Sequence, residues 1–142
     1  MSISLRTYMD SEAPNVVMIP GVFSETLQLL SDAREYFQVF GQHDQQRLDA
    51  GMRTLYACEM SRITLRLTSI MSWLMVQRAV TSGKIAPEEA AVHYGLAFRD
   101  DCTVDNRVLH GILPSYLCYL LDRSLELYER VLRLDRQTSI IH

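Results

Sequence analysis

Four histidines (His43, His93, His110, His142) and three cysteines (Cys58, Cys102, Cys118) are the side chains in this sequence best suited to hold a metal ion. No two of them stand at i, i+3 or i, i+4 on one helical pattern, and none forms a C-x-x-C or other zinc spacing. An odd number of cysteines at unrelated spacings is also unlike a disulfide framework; two fall within helical patterns and read as small core residues. The acidic run Asp101-Cys-Thr-Val-Asp-Asn106 lacks the alternating oxygen ligands, sixth-position glycine and closing glutamate of a calcium loop. Glu88 and Glu89 would make a catalytic carboxylate pair only if buried opposite an acid or base. At a helix start they read as partners of the helix dipole. No nucleophile stands with its base, and no glycine-rich phosphate or dinucleotide loop is present. The residues therefore point to a protein that is not an enzyme, with no metal and no cofactor.

Two further sets bear on binding. Glu59, Arg62 and Arg66 line up at helical spacing and read as an i, i+3 pair on a solvated face. Trp73 lies between Met71 and Met75, with Arg78 one turn beyond. Methionine adapts to varied partners and tryptophan is over-represented at binding hot spots, so Met71, Trp73, Met75 and Arg78 are the candidate protein interface. A core tryptophan with methionine fillers is the competing reading.

These sets sit on a long helix expected from about residue 45 to 82. Met52, Tyr56, Met60, Ile63, Leu67, Ile70 and Leu74 recur at steps of three and four, one face of an α-helix. Thirty-eight residues would span on the order of 57 Å. From Leu67 to Gln77 there is no charge, and apolar side chains point all round the axis. Such a segment must be covered all round, by two helices, a second subunit or a client. Asp44 is the expected cap of this helix, Gly51 a point of fraying or kinking, and Gly83 its left-handed end.

Around it, residues 1–22 read as an irregular leader broken by Pro14 and Pro20-Gly21. A first helix is expected from Ser24 to Phe40, with Phe23, Leu27, Leu30, Ala33, Phe37 and Phe40 as its apolar face and Gly41 as its C′ residue. A short helix spans about 87–94, with Pro87 at its first turn. Residues 96–111 read as a polar loop, of a length that is often functional. A last helix starts near Pro114, with one stripe of Leu117, Leu121, Leu125, Tyr128 and Leu132 and a second of Leu120, Leu127, Val131 and Leu134. The expected fold is all-α: an antiparallel three-helix bundle with one long central helix and a short extra helix. Its bundle domain runs over 23–136, followed by a short tail at 137–142.

Length and composition set the outer limits. With 142 residues, 48% hydrophobic and 22% charged, the chain suits one soluble domain with its own core. A net charge of −3 argues against a nucleic-acid partner, which would need clustered positive charge. The charge-free run of 11 residues between Arg66 and Arg78 is short of the roughly 20 that cross a membrane. No secretory signal is visible, so a cytoplasmic protein is expected.

The block Arg62-Ile-Thr-Leu-Arg-Leu-Thr-Ser-Ile-Met-Ser-Trp-Leu-Met-Val-Gln-Arg-Ala-Val80, followed by Gly83 and the acidic-start helix, resembles the regulator of CtrA degradation (RcdA) family of alphaproteobacteria. Leu113-Pro-Ser-Tyr-Leu117 and Leu125-Glu-Leu-Tyr-Glu-Arg-Val-Leu-Arg-Leu-Asp135 are similar to that family's last helix. The resemblance covers about residues 23–136. It implies a homodimeric adaptor that helps present cell-cycle regulators to the ClpXP protease, recruited by its partners to a cell pole. It would act by tethering, which raises a client's effective concentration. Family members continue into a flexible C-terminal tail associated with cargo binding, and only about six residues follow the expected last helix here. A transcription-associated or nucleic-acid-binding bundle is the alternative function, and a small enzyme with a site between the helices is a third.

Overall fold

The computed structural model describes residues 14–93, 95–96, 100–103 and 109–141. Helix α1 (Pro14–Tyr36) runs into a π turn (Phe37–Gly41) and a short α2 (Gln42–Gln46). Helix α3 (Ala50–Thr81) is the central rod; α4 (Pro87–His93) and α5 (Asp100–Thr103) lie in the crossover, and α6 (Ser115–Ile141) closes the fold. The described residues thus form the expected all-α bundle of three principal helices around one long rod.

The crossover sets the direction of α6. Arg66 and Trp73 of α3 meet Leu121 and Asp135 of α6 in the same order, so these two helices run parallel. Helix α1 is antiparallel to both: Tyr36 stacks near Tyr116, while Glu25 holds Arg123 and Arg130 further along α6. Tyr56 meets Tyr36, which places the start of α3 at the end of α1.

Several boundaries differ from the sequence reading. Helix α1 begins at Pro14, so residues 14–22 are helical and not part of an irregular leader; residues 1–13 lie outside the described residues. Proline is well tolerated at a first helical position. Pro20, inside α1, removes one backbone donor near the helix start without ending it. The α1 face that packs is Val22, Thr26, Leu29, Ala33 and Tyr36, one residue out of phase with the expected stripe, and Leu27 is exposed. Thr26 is accommodated there because its hydroxyl donates to the Val22 carbonyl at 2.6 Å.

Gly41 does not stop the first helix. It is right-handed and buried, and a Cβ there would lie 3.3 Å from the Tyr56 hydroxyl. A side chain at this point would crowd the Tyr56 hydroxyl. The break comes instead at 47–49, and Asp49, not Asp44, caps α3 by accepting from the Met52 N–H at 2.8 Å. Gly51 lies in the first turn of α3 without breaking it. At the far end Gly83 has φ +78°, with Gly83 N–H donating to the Val80 carbonyl and Lys84 N–H to Ala79, a Schellman ending as expected. Helix α6 continues to Ile141, so the expected tail from residue 137 is helical.

The α3 stripe is buried at Tyr56, Ile63, Leu67, Ile70 and Leu74, and both α6 stripes pack inward with only Leu125 partly exposed. Trp73 is 2% exposed and its indole N–H donates to Asp135 Oδ1 at 2.9 Å. Asp135 Oδ2 accepts from Leu96 N–H at 3.0 Å, so one carboxylate joins α3, α6 and the crossover. Burial raises the pKa of Asp135, against the opposing pull of these two donors.

Arg66 is a second junction. It is 1% exposed, where a solvated face was expected. Its guanidinium donates to the carbonyls of Cys102 (2.7 Å) and Leu121 (3.0 Å) and to Ser124 Oγ (3.0 Å). Burial, and then the nearby Arg62 charge, lower its pKa to about 10, which leaves it charged at neutral pH. Glu59, also buried, accepts from Arg62 at 3.1 Å.

Candidate functional site

The sequence-predicted interface separates in space. Trp73 is sealed inside the subunit, so the expectation that it presents a partner surface is corrected: α1, α4, α5 and α6 pack against α3 and cover all but the face of Thr68, Ser72 and Met75. Met71 is half-buried against the core, whereas Met75 and Arg78 face solvent. The candidate metal ligands do not converge. Among the described residues no three His, Cys, Asp or Glu side chains stand close enough to hold an ion. Cys58 is exposed, which corrects its reading as a core residue; Cys102 and Cys118 are buried. His110 pairs with Asp122, His43 and His93 are exposed on separate helices, and His142 lies outside the described residues. Glu88 and Glu89 are exposed in the first turn of α4. The acidic run from Asp101 divides: its first three residues end α5, and the rest lies outside the described residues.

A concavity lies elsewhere, at the end of the bundle where α1 turns into α3 and α6 begins. It is a cleft of about 710 Å³. Asp32, Glu35 and Tyr36 of α1 and Phe40 of the π turn form one wall; Asp44, Arg47 and Leu48 form a second; Ile112 to Tyr116 form the third.

The π turn builds this cleft. Eight residues of regular helix would leave Tyr36 and Asp44 roughly 80° apart, and the extra residue of the turn brings them to roughly 20°. Their side chains then meet: the Tyr36 hydroxyl donates to Asp44 Oδ2 at 2.6 Å, and the Tyr56 hydroxyl donates to Tyr36 Oη at 3.0 Å. Burial, then the hydrogen bond to Asp44, drive the Tyr36 pKa far upward, so it stays a neutral donor. The same phase change turns Phe40 outward. It is 58% exposed, with Ile112 at 48% and Tyr116 at 42% on the facing wall. Tyr36, Tyr116 and Tyr119 continue as a tilted aromatic row, with centroids 5.2 and 5.4 Å apart.

With three carboxylates to one guanidinium in its lining, the cleft is acidic as well as aromatic. It contains no nucleophile paired with a base. What it offers is a concave, fixed surface for binding. The sequence reading missed it; the one local signal was the bulky Phe37-Gln-Val-Phe40 run beside Gly41.

The family described as "Protein of unknown function (DUF1465)" matches residues 11–140. Among solved structures, the chain is similar to RcdA from Caulobacter crescentus: 35% sequence identity, TM-score 0.69, covering 87% of this chain and 92% of that one. The chain belongs to this RcdA-like family. No curated protein matches it. The RcdA-like fold, a helical bundle, is thereby accounted for across nearly all of both chains. No helix among the described residues is long and apolar enough to cross a membrane.

Proposed function

We propose that this RcdA-like chain is a non-enzymatic adaptor of regulated proteolysis, which helps deliver cell-cycle regulators to the ClpXP protease. The observation that carries the reading is the likeness to RcdA, at 35% identity over most of both chains. The adaptor would work by tethering, raising a client's effective concentration at the protease rather than altering a bond. A homodimer in the cytoplasm of an alphaproteobacterium, recruited to a cell pole by partners, goes with the same reading. Met75 and Arg78 are the residues of the expected interface that remain available to a partner. The nucleic-acid alternative has a net charge of −3 and an acidic cleft against it.

The test is reconstitution. Purified ClpXP, a labelled cell-cycle regulator from the same cell and increasing amounts of this chain are mixed, and loss of the regulator is followed in time. Faster turnover that saturates with added chain is expected. Turnover indifferent to the chain, with every cell-cycle regulator tried, would rule the adaptor role out.

A further inference from the structure

We infer that the cleft between α1, the π turn and the start of α6 docks a protein segment that carries basic and apolar side chains together. The inference rests on the adaptor reading for its biological setting and on three physical features of the cleft for its chemistry. The first is size: about 710 Å³ is within the range that encloses several side chains. The second is the walls, where Phe40, Ile112 and Tyr116 leave apolar surface in water that a partner would cover. The third is sign. Asp32, Glu35 and Asp44 outnumber Arg47, so a cationic segment is attracted and an acidic one repelled.

The aromatic row adds a reason to expect arginine in particular. A guanidinium stacks on an exposed tyrosine face while its N–H groups reach carboxylates, and Tyr116, 42% exposed, lines the cleft with such groups. The field of Asp32 and Glu35 is felt at Tyr116, whose pKa rises, first through loss of solvent and then through these charges. The floor is set before anything binds, because Tyr36 is held by Asp44 and Tyr56. A preorganised floor lowers the ordering cost of association. A second copy of this chain is a poorer occupant, since its own charge is −3.

The probe is a short dye-labelled peptide alternating Arg with Leu and Phe, titrated by fluorescence anisotropy against the full chain. Its counterpart has Glu in place of every Arg. The Arg peptide should bind with an affinity that falls as salt rises, and the Glu peptide should not. Asp32→Asn with Glu35→Gln should weaken binding about tenfold. Glu88→Gln with Glu89→Gln, at the other end of the bundle, should change it by less than about twofold. Ile112→Ser should weaken it without changing the salt dependence. Thermal melts establish that each variant is folded.

Equal weakening by the two charge pairs would mean general attraction to an acidic surface and would overturn the assignment, as would absence of binding by the Arg peptide. If the cleft variants change the mass of the chain in solution while leaving peptide binding intact, a second copy is the occupant and the assignment fails. The two readings separate in the degradation assay. Wild type and the Asp32→Asn, Glu35→Gln variant speeding turnover equally would remove the cleft and keep the adaptor. Peptide binding through the cleft with no effect of wild type on turnover would do the reverse.

Discussion

Arg66 shows how far one side chain's role depends on segments distant in the chain. Glu59, Arg62 and Arg66 have the spacing of a solvated charged strip, and nothing in α3 itself says otherwise. The crossover decides, by bringing the Cys102 carbonyl to Arg66 Nε across 36 positions of sequence. Lysine would keep the charge but lose the forked geometry. Arg66→Lys should therefore cost on the order of 2–3 kcal/mol, measured as a lower urea midpoint at unchanged slope. Asp135 carries a pH prediction. Its folded pKa is raised by burial, so the native state binds a proton more tightly than the unfolded chain. Its contribution to stability is then full below the unfolded pKa and lost as pH rises through the folded one. Asparagine keeps one acceptor for the two donors, Trp73 and Leu96, and should cost about 1–3 kcal/mol. The advantage of wild type over Asp135→Asn should widen as pH falls through the raised pKa, seen in paired denaturation curves. A constant gap from neutral to acid pH would refute the shift.

Among the elements, the π turn at Phe37–Gly41 was the least legible and matters most to the cleft. A glycine after a helical stripe reads as a left-handed stop, and Gly83 does behave so, with φ +78°. Gly41 has the same local appearance but keeps right-handed angles as the last residue of the π turn, and Tyr56 from α3 crowds the space a side chain would need. Gly41→Ala gains helix propensity while it displaces the Tyr56 hydroxyl, and the two effects oppose each other. Gly41→Val has no such offset and should cost on the order of 2 kcal/mol. Tyr56→Phe removes the atom in the way, so in the double variant the combined loss should be less than the sum of the single losses. Additive losses would show that Gly41 and Tyr56 are not in conflict. Helix starts were legible where proline marks the start, at α4 and α6, and not at α3: Asp49 and Asp44 are both plausible caps by type, and only the path of the π turn commits Asp44 to Tyr36.

At the scale of the whole molecule, α3 was expected to need cover on every side, and its charge-free stretch is covered on all but one, where Thr68, Ser72 and Met75 face solvent. Of the covers expected, two helices, a second subunit or a client, the chain's own helices are the ones the structure supplies. The short helix at 87–94 was expected and 96–111 was read as a polar loop, yet α5 forms within that loop, and α4 and α5 both pack on α3, where Trp73 is buried within one subunit. Trp73→Phe should thus lower stability by about 2 kcal/mol, through the lost indole hydrogen bond and a small void. It should leave the mass in solution, measured across concentrations, the same as wild type. A shift in mass for this variant would return Trp73 to an interface. The sequence alone determined the helical class, the three principal helices and the inward stripes of α3 and α6, because three-and-four periodicity is a local property of the chain; the likeness to RcdA rested on the particular residues of the 62–80 block and the last helix. Tertiary structure alone decided the phase of α1, the parallel course of α6 beside α3, the burial of Arg66 and Glu59, and the acidic cleft. Each of these depends on what a distant segment places against a residue, and helical periodicity carries no record of that.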